Sequence, residues 1–458
     1  MNCLPSDSIP DPQLEPKAHE NSVVPPNSGS QHVQHHPGRR GSRTSAPTRD
    51  KSAIEAYGSS RHSCGGIQPS TPAQPNVPPR SAPPTPPGLP IANSGKFANP
   101  IQGLSSAELA EFNVAKNVFL EVETAEAGLG PIFNDVSCVA CHFRGGAGGA
   151  SRTAVTHFGK VTNGVFDPLS SLGGPLLQRR ATAQKFLERI PREANVVANR
   201  ITTPLFGAGL VEAIPDATIQ SLAAQSKPDG VKGRLSVVRD AITGITRIGR
   251  FGWKAQHASL NAFSADAYLN EMGVTNEIFP RENAPNGNAL LLAESDKISD
   301  PEDITSTGNP KPDFILTADY MRLLAAVPRA TANASIIKGE TVFKEIGCAV
   351  CHVPSLKTGT SPIAALSNRA VDLYSDLLLH DMGALGDGIP QGSATAAEMR
   401  TAPLWGLRLR DAFLHDGRAS TAELAVLAHA GEGKIARDRF AKLTADRKKS
   451  LLDFLGSL

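Results

Sequence analysis

The chain has 458 residues, with 46 Lys and Arg against 44 Asp and Glu and a formal net charge of +2, a balance that offers no polybasic face to nucleic acid or to an anionic membrane. Its length suffices for two ordinary domains, and no apolar run approaches the roughly 18 residues of a membrane helix, so a soluble protein without a membrane span is expected. Six cysteines are too few for a disulfide-stapled scaffold.

Residues 1–95 are built from Pro, Ser, Gln, Asn and His. Of the 36 prolines, 18 fall in residues 1–90, where Tyr57 is the lone aromatic. Such a segment buries too little apolar area to offset its chain entropy, and a disordered tail is expected. The run HVQHHPGRR reads as a solvated linker rather than a metal site, and Cys3 and Cys64 have no cysteine partner three residues away. The N-terminal MNCLPSDSIPDPQLEPK shows neither the charged n-region nor the apolar h-region of an export signal.

From Phe97 the texture turns helical. SSAELAEFNVAKNVFLEVE offers Ser105 or Ser106 as an N-cap, with a Glu three residues on, and sets Leu109, Phe112, Ala115, Val118 and Phe119 along one face. NDVSCVACHFRGGAGG follows. GRLSVVRDAITGITRIGRFGW alternates as a hairpin turning at Gly244, the only clear strand signal. TADYMRLLAAV and NASIIKGETVFKEIG are again helical, the second ending at Gly347 ahead of a second cluster, EIGCAVCHVPS. A helical stretch from Thr421 to Leu458 closes the chain. The expected fold is mainly α, in two domains, 97–325 and 326–458, with a small β-hairpin and the tail in front.

Cys138, Cys141 and His142, then Cys348, Cys351 and His352, repeat one spacing. Two thiols at i and i+3 on a helical turn reach the two vinyl groups of one haem, and the next histidine lies under the iron as its axial ligand. A zinc ribbon would need the two pairs brought together, and a dithiol redox site would not need a histidine in both copies. Two covalently bound haem c groups are therefore expected, with His142 and His352 as axial ligands.

GLGPIFNDVSCVACH, FGAGLVEAIPD, GRFGWKA, YSDLLLHDMG, MRTAPLWGL and FLHDGRASTAELAVLAHAGE run in order from about residue 97 to Leu458. Together they resemble the dihaem oxidoreductase family, described as peroxidases or thiol oxidoreductases, and more distantly the bacterial dihaem cytochrome c peroxidases. The resemblance implies two haem domains like cytochrome c packed together, and an oxidoreductase of peroxidase type. Electrons from a donor cytochrome or cupredoxin would enter at the C-terminal haem and pass to a catalytic N-terminal haem that takes peroxide or another small substrate. The alternative is a dihaem carrier with both irons saturated. In the peroxidases a methionine lies fourteen residues after the histidine of an HDG motif and ligates the C-terminal iron; counting from His415 lands on His429. The expectation is a bis-histidine iron, His352 and His429, with Met382 and His380 as rival ligands and a surface histidine as the plain reading of His429.

The same resemblance places His157 near a distal histidine position of the N-terminal haem and Glu212 near the distal acid; a loop histidine and a helix-capping acid are the plain alternatives. The glycines of RGGAGG would let backbone approach a flat ligand closely. Trp253 is a candidate electron relay or a core aromatic. Arg144, Arg400 and Arg418 are candidate propionate partners, because guanidinium binds carboxylate bidentately, and Asp416 is placed to orient His415. Calcium between the domains is common among the peroxidase relatives, though no ligand set is evident here. Haem of this type is attached outside the bacterial cytoplasm, so a periplasmic or other extracytoplasmic location is expected.

Overall fold

The computed structural model describes residues 97–295, 297 and 311–458. The disordered-tail reading, with Cys3, Cys64 and HVQHHPGRR, lies outside these residues.

Helix α1 (Ser106–Leu120) begins with a capping box: Ser105 Oγ accepts from the Glu108 N–H at 3.2 Å, and the Glu108 carboxylate accepts from the Ser105 N–H at 2.7 Å. Phe112, Ala115 and Phe119 are buried, whereas Leu109 is exposed, so the inward stripe is narrower than the sequence pattern. A short α2 (Cys138–Cys141) carries the first two thiols. Then come α3 (Ala208–Glu212), α4 (Asp216–Ala224), α5 (Leu260–Ala267), continued by a π-helical turn at Tyr268–Met272, α6 (Ala289–Ser295) and α7 (Asp313–Leu323). Helix α7 packs on α1, with the Tyr320 ring 5.2 Å from that of Phe112 and 4.7 Å from that of Phe119.

In the C-terminal part, α8 (Ala334–Glu345) packs on the last helix, α11 (Ala445–Leu455). Gly339 makes the close approach: a Cβ there would stand 1.9 Å from Ser450 O. Phe343 stacks edge-on to Phe454 at 5.2 Å. Between them in sequence, α9 (Ala422–Leu427) and α10 (Lys434–Ala441) flank His429. One apolar cluster is centred on α1, α5 and α7, and a second on α8 and α11.

The expected hairpin is present, Val237–Arg239 against Thr246–Ile248, with Gly244 at φ +65°. A larger sheet was not anticipated. Its long strand β1 (Ala154–Thr162) pairs antiparallel with β2 (Val165–Asp167), β3 (Leu176–Leu177) and β4 (Val196–Ile201). Val155 stands opposite Arg200 and His157 opposite Ala198, so these four share one face of the sheet. No helix among the described residues is long and apolar enough to cross a membrane.

Candidate functional site

Gly347, at φ +94°, ends α8 and turns the chain into a single 3-10 turn, Cys348–Val350. His352 follows, and its Nδ1–H donates to Tyr374 O at 3.0 Å. On another wall of the same cavity stands His429, whose Nδ1–H donates to Ala425 O at 2.8 Å, one turn back along α9. Burial lowers the pKa of His352 to about 4, with His429 as the next cause, and burial also lowers that of His429. Both rings are therefore neutral, and a proton on Nδ1 leaves the lone pair on Nε2, the tautomer a metal ligand needs. The cavity, about 1460 Å³ with its open mouth, is also lined by Cys348, Cys351, Met382, Trp253 and His415.

Two arginines on its wall lack an acid. The guanidinium of Arg400 donates to Gly252 O at 2.8 Å and Thr401 O at 3.1 Å, and that of Arg410 to Pro403 O at 3.2 Å. Neither makes an ion pair among the described residues, and the buried Arg410 Nε has no partner. Burial lowers both to about 10, and for Arg400 the neighbouring Arg410 adds to the effect. A buried and a half-buried cation side by side on a cavity wall call for anions inside it. Haem propionates supply that charge, so the residues present fit the group.

The first cluster is built differently. Cys138 and Cys141 lie on α2, His142 is its C-cap, and the His142 Nδ1–H donates to Gly149 O at 3.2 Å. Burial lowers His142 to about 3. The three residues line a second, tighter cavity of about 590 Å³. One wall is the sheet face of Thr153, Val155, Arg200 and Thr202; another holds Tyr268, Met272 and Met321. Arg200 is fully buried; its Nε meets Asp387 at 2.6 Å, and Asp387 also meets Lys254 Nζ at 3.1 Å. Arg200 is the cation on this wall; Asp135 and Glu271 also line the cavity, and Lys254 and Asp387 stand behind Arg200.

None of the four clustered cysteines is in a disulfide. Burial pushes Cys138, Cys141 and Cys348 up to about 12, which holds them as neutral thiols. That suits uncharged thioethers and disfavours a thiolate redox centre. The two pairs line separate cavities, and among the described residues no three or more His, Cys, Asp or Glu are grouped to hold a metal ion, which disfavours a zinc ribbon.

The remaining candidates divide. Trp253 is 5 % exposed, lines the C-terminal cavity, and donates its indole N–H to Ile201 O at 2.9 Å, between Arg200 and Thr202, which wall the N-terminal cavity. Met382 lines the C-terminal cavity beside His429. His380 does too, but Asp376 holds its Nε2 at 3.0 Å and Glu432 its Nδ1 at 2.7 Å. Burial alone would lower its pKa, yet hydrogen bonds from Asp376, Cys351 and Glu432 raise it to about 12. An imidazolium clamped at both nitrogens has no lone pair for iron, so its expected rivalry as a ligand gives way to a fixed charge.

His157 is 1 % exposed, and its Nε2 has no partner. It shares the sheet face of Val155 and Arg200 but stands one step beyond the residues that line the cavity. Burial, then Arg200, keeps it neutral. Glu212 faces neither cavity: its carboxylate accepts from the Leu260 N–H at 2.7 Å, capping α5, and from Arg322 Nε at 2.7 Å. The distal-acid expectation is corrected to this capping role.

Arg144 binds Asp411 at 2.7 Å and Arg418 binds Asp416, so neither is offered to a cavity. Asp416 stands 4.0 Å from His415 Nε2, too far to orient it by a hydrogen bond. The RGGAGG loop does not face a ligand with bare backbone. It folds back through an Arg144–Ala150 bridge, its Gly149 carbonyl anchors His142, and a Cβ on Gly149 would stand 1.9 Å from Arg144 O.

Sequence reasoning missed Arg200, Arg410, Lys254, Asp387 and Tyr268. A signal existed for the first: in the alternating strand VVANRI, an arginine takes the inward position. The others come together only through the tertiary fold.

The family described as "Di-haem oxidoreductase, putative peroxidase" matches residues 177–458, well over half of the chain and beginning after the first cluster. No curated protein matches. Among solved structures, similarity is found to a hydrazine synthase of Kuenenia stuttgartiensis at 12 % identity, covering 87 % of this chain and 100 % of that one with a TM-score of 0.34. It is also found to the diheme peroxidase BthA of Burkholderia thailandensis at 13 % identity, covering 56 % and 78 % with a TM-score of 0.28.

Proposed function

Because the chain belongs to the di-haem oxidoreductase family, we propose that it is a c-type dihaem oxidoreductase of peroxidase type, with residues 97–325 and 326–458 each holding one haem. The observation that carries this reading is the inequality of the two cavities. His352 and His429 share the C-terminal one, whereas His142 is the only histidine lining the N-terminal one. When bound, the haems supply the redox chemistry, electrons arriving on the C-terminal side and being used on the N-terminal side to reduce peroxide or to oxidise another small substrate.

The protein's own groups have distinct parts. Cys138, Cys141, Cys348 and Cys351 form the thioethers. His352 and His429 would hold the iron of the C-terminal haem, leaving it closed to small molecules and at a lower potential than a methionine ligand would give. Arg400 and Arg410 hold propionates, replacing Arg144 and Arg418 in that role. Trp253 bridges the space between the cavities, its indole tied to β4. Arg200, held by Asp387, presents positive charge to an entering peroxide, where an anion develops as the O–O bond weakens. Donors would be a small cytochrome or cupredoxin in the periplasm or at the cell surface.

One observation favours a second reading, a carrier with two saturated irons. The orphaned Nε2 of His157 lies on the sheet face that walls the N-terminal cavity, and a modest shift would make it a ligand. Hydrogen peroxide added to the fully reduced holoprotein decides: rapid oxidation with one peroxide consumed per two electrons supports the enzyme, and slow oxidation that His157→Ala accelerates supports the carrier.

A further inference from the structure

Lys254 lies directly after Trp253, and its side chain is fully buried between the two cavities. Its ammonium donates to Glu398 O at 2.6 Å, Thr395 O at 3.0 Å and Ala396 O at 3.2 Å, and meets Asp387 Oδ1 at 3.1 Å. This is a cage of four oxygens, three of them carbonyls presented by one tight turn. Glu398 shapes that turn: its carboxylate accepts from the Thr395 N–H at 2.8 Å and pairs with Arg234. Carbonyls converging with a carboxylate form the donor set of a hard cation. Here, however, four contacts at ammonium distances replace the six to eight shorter ones a calcium ion takes, and an ammonium already fills the centre.

The cage joins the segments that separate the cavities. Asp387 fixes Arg200, which walls the N-terminal cavity, and the caging turn runs into Arg400, which walls the C-terminal one. The carbonyl and carboxylate oxygens that could serve calcium here are already taken by the ammonium, so this cage does not fit the calcium expected from the peroxidase relatives.

We propose that the Lys254 ammonium is the resident cation between the two cavities, and that the protein works without calcium because the cage formed by Asp387, Thr395, Ala396 and Glu398 is filled from within. The charge is present at neutral pH: burial lowers Lys254 only to about 8, with Asp387 opposing the shift. A tethered cation differs from a metal in one testable respect, since a chelator cannot remove it.

The experiment uses the dihaem holoprotein at pH 7, with metal content, thermal melting and the ferric spectrum as readouts that do not depend on the proposed reaction. Wild type is expected to carry no stoichiometric calcium and to keep its melting temperature and spectrum in EGTA. Lys254→Met, which fills the space without charge, should melt roughly 5–10 °C lower because Asp387 loses one of its two buried cationic partners and three carbonyls lose their donor, and calcium chloride should not restore it. Lys254→Ala, which empties the cage, should melt similarly low in EGTA and recover at least half of the loss when calcium chloride is added. One tightly held calcium per wild-type chain, or wild-type melting that collapses in EGTA, would overturn the proposal. So would Lys254→Met melting like wild type, or Lys254→Ala unmoved by calcium.

Discussion

His352 and His429 face one cavity from different walls, and each is set in the same tautomer by a backbone carbonyl, Tyr374 O at 3.0 Å and Ala425 O at 2.8 Å. A carbonyl accepts only from N–H, so the free lone pair of each neutral ring is on Nε2. Two such lone pairs in one cavity are what a six-coordinate iron needs.

His429→Ala should therefore convert the C-terminal ferric haem from low spin to high spin, read by optical and electron paramagnetic resonance spectra. His380→Gln should leave the spin state unchanged, because both nitrogens of His380 are already held by carboxylates. A low-spin signal that survives His429→Ala would hand the ligand role to Met382.

Gly433 guards the same ring. It sits at φ −79°, where any residue is comfortable, but a Cβ would stand 3.1 Å from His429 Cδ2 and 3.2 Å from its Cβ. Gly433→Ala should disturb coordination while costing stability less than about 1 kcal/mol. A partial high-spin component at an almost unchanged melting temperature is the expected result.

Arg410→Gln should lower the midpoint potential of the C-terminal haem. For a charge removed at a separation on the order of 10 Å, at an effective dielectric near 20, the oxidised-to-reduced balance would change by roughly 70 mV. Arg418→Gln, which removes a charge already paired with Asp416 at the surface, should shift it far less in the same potentiometric titration.

Gly339→Ala tests the helix pair that positions the second cluster. The new methyl would meet Ser450 O at 1.9 Å, and although alanine favours a helix by about 1 kcal/mol over glycine, forcing α8 from α11 should give a net loss of roughly 1–3 kcal/mol in denaturant unfolding.

Acid should destabilise the fold through its neutral buried histidines. Burial lowers His415 to about 4, against the opposing pull of Asp416 and Asp387. The unfolded chain takes up that proton near pH 6.5 and the folded chain only near 4, so stability is fully present above 6.5 and is lost as pH falls toward 4. The contribution is on the order of 1–3 kcal/mol. His415→Phe should flatten the unfolding free energy across that window.

The parts visible in the sequence were those decided by local spacing. The capping box at Ser105 and Glu108, the Gly347 stop, the hairpin at Gly244 and the two Cys-x-x-Cys-His turns each depend on neighbours within a few residues. In the sheet, β1 and β2 are joined by Asn163-Gly164, a local hairpin signal that was passed over, whereas β3 and β4 pair with β1 across longer excursions, as Arg200 with Val155. Arg410 and Lys254 read as ordinary charges in the sequence; burial without an acid partner, or inside a carbonyl cage, is set by distant segments meeting. Glu212 was misread for the same reason, since Leu260 and Arg322, which claim its carboxylate, are 48 and 110 residues away.

The central claim is that the two irons differ, one closed by His429 and the other open to small molecules. Cyanide titration of the ferric holoprotein, followed by electron paramagnetic resonance, tests it most directly. The expected result is one low-spin signal that cyanide leaves untouched and one high-spin signal that converts to low spin at one cyanide per chain. Two low-spin signals, both inert to cyanide, would contradict it.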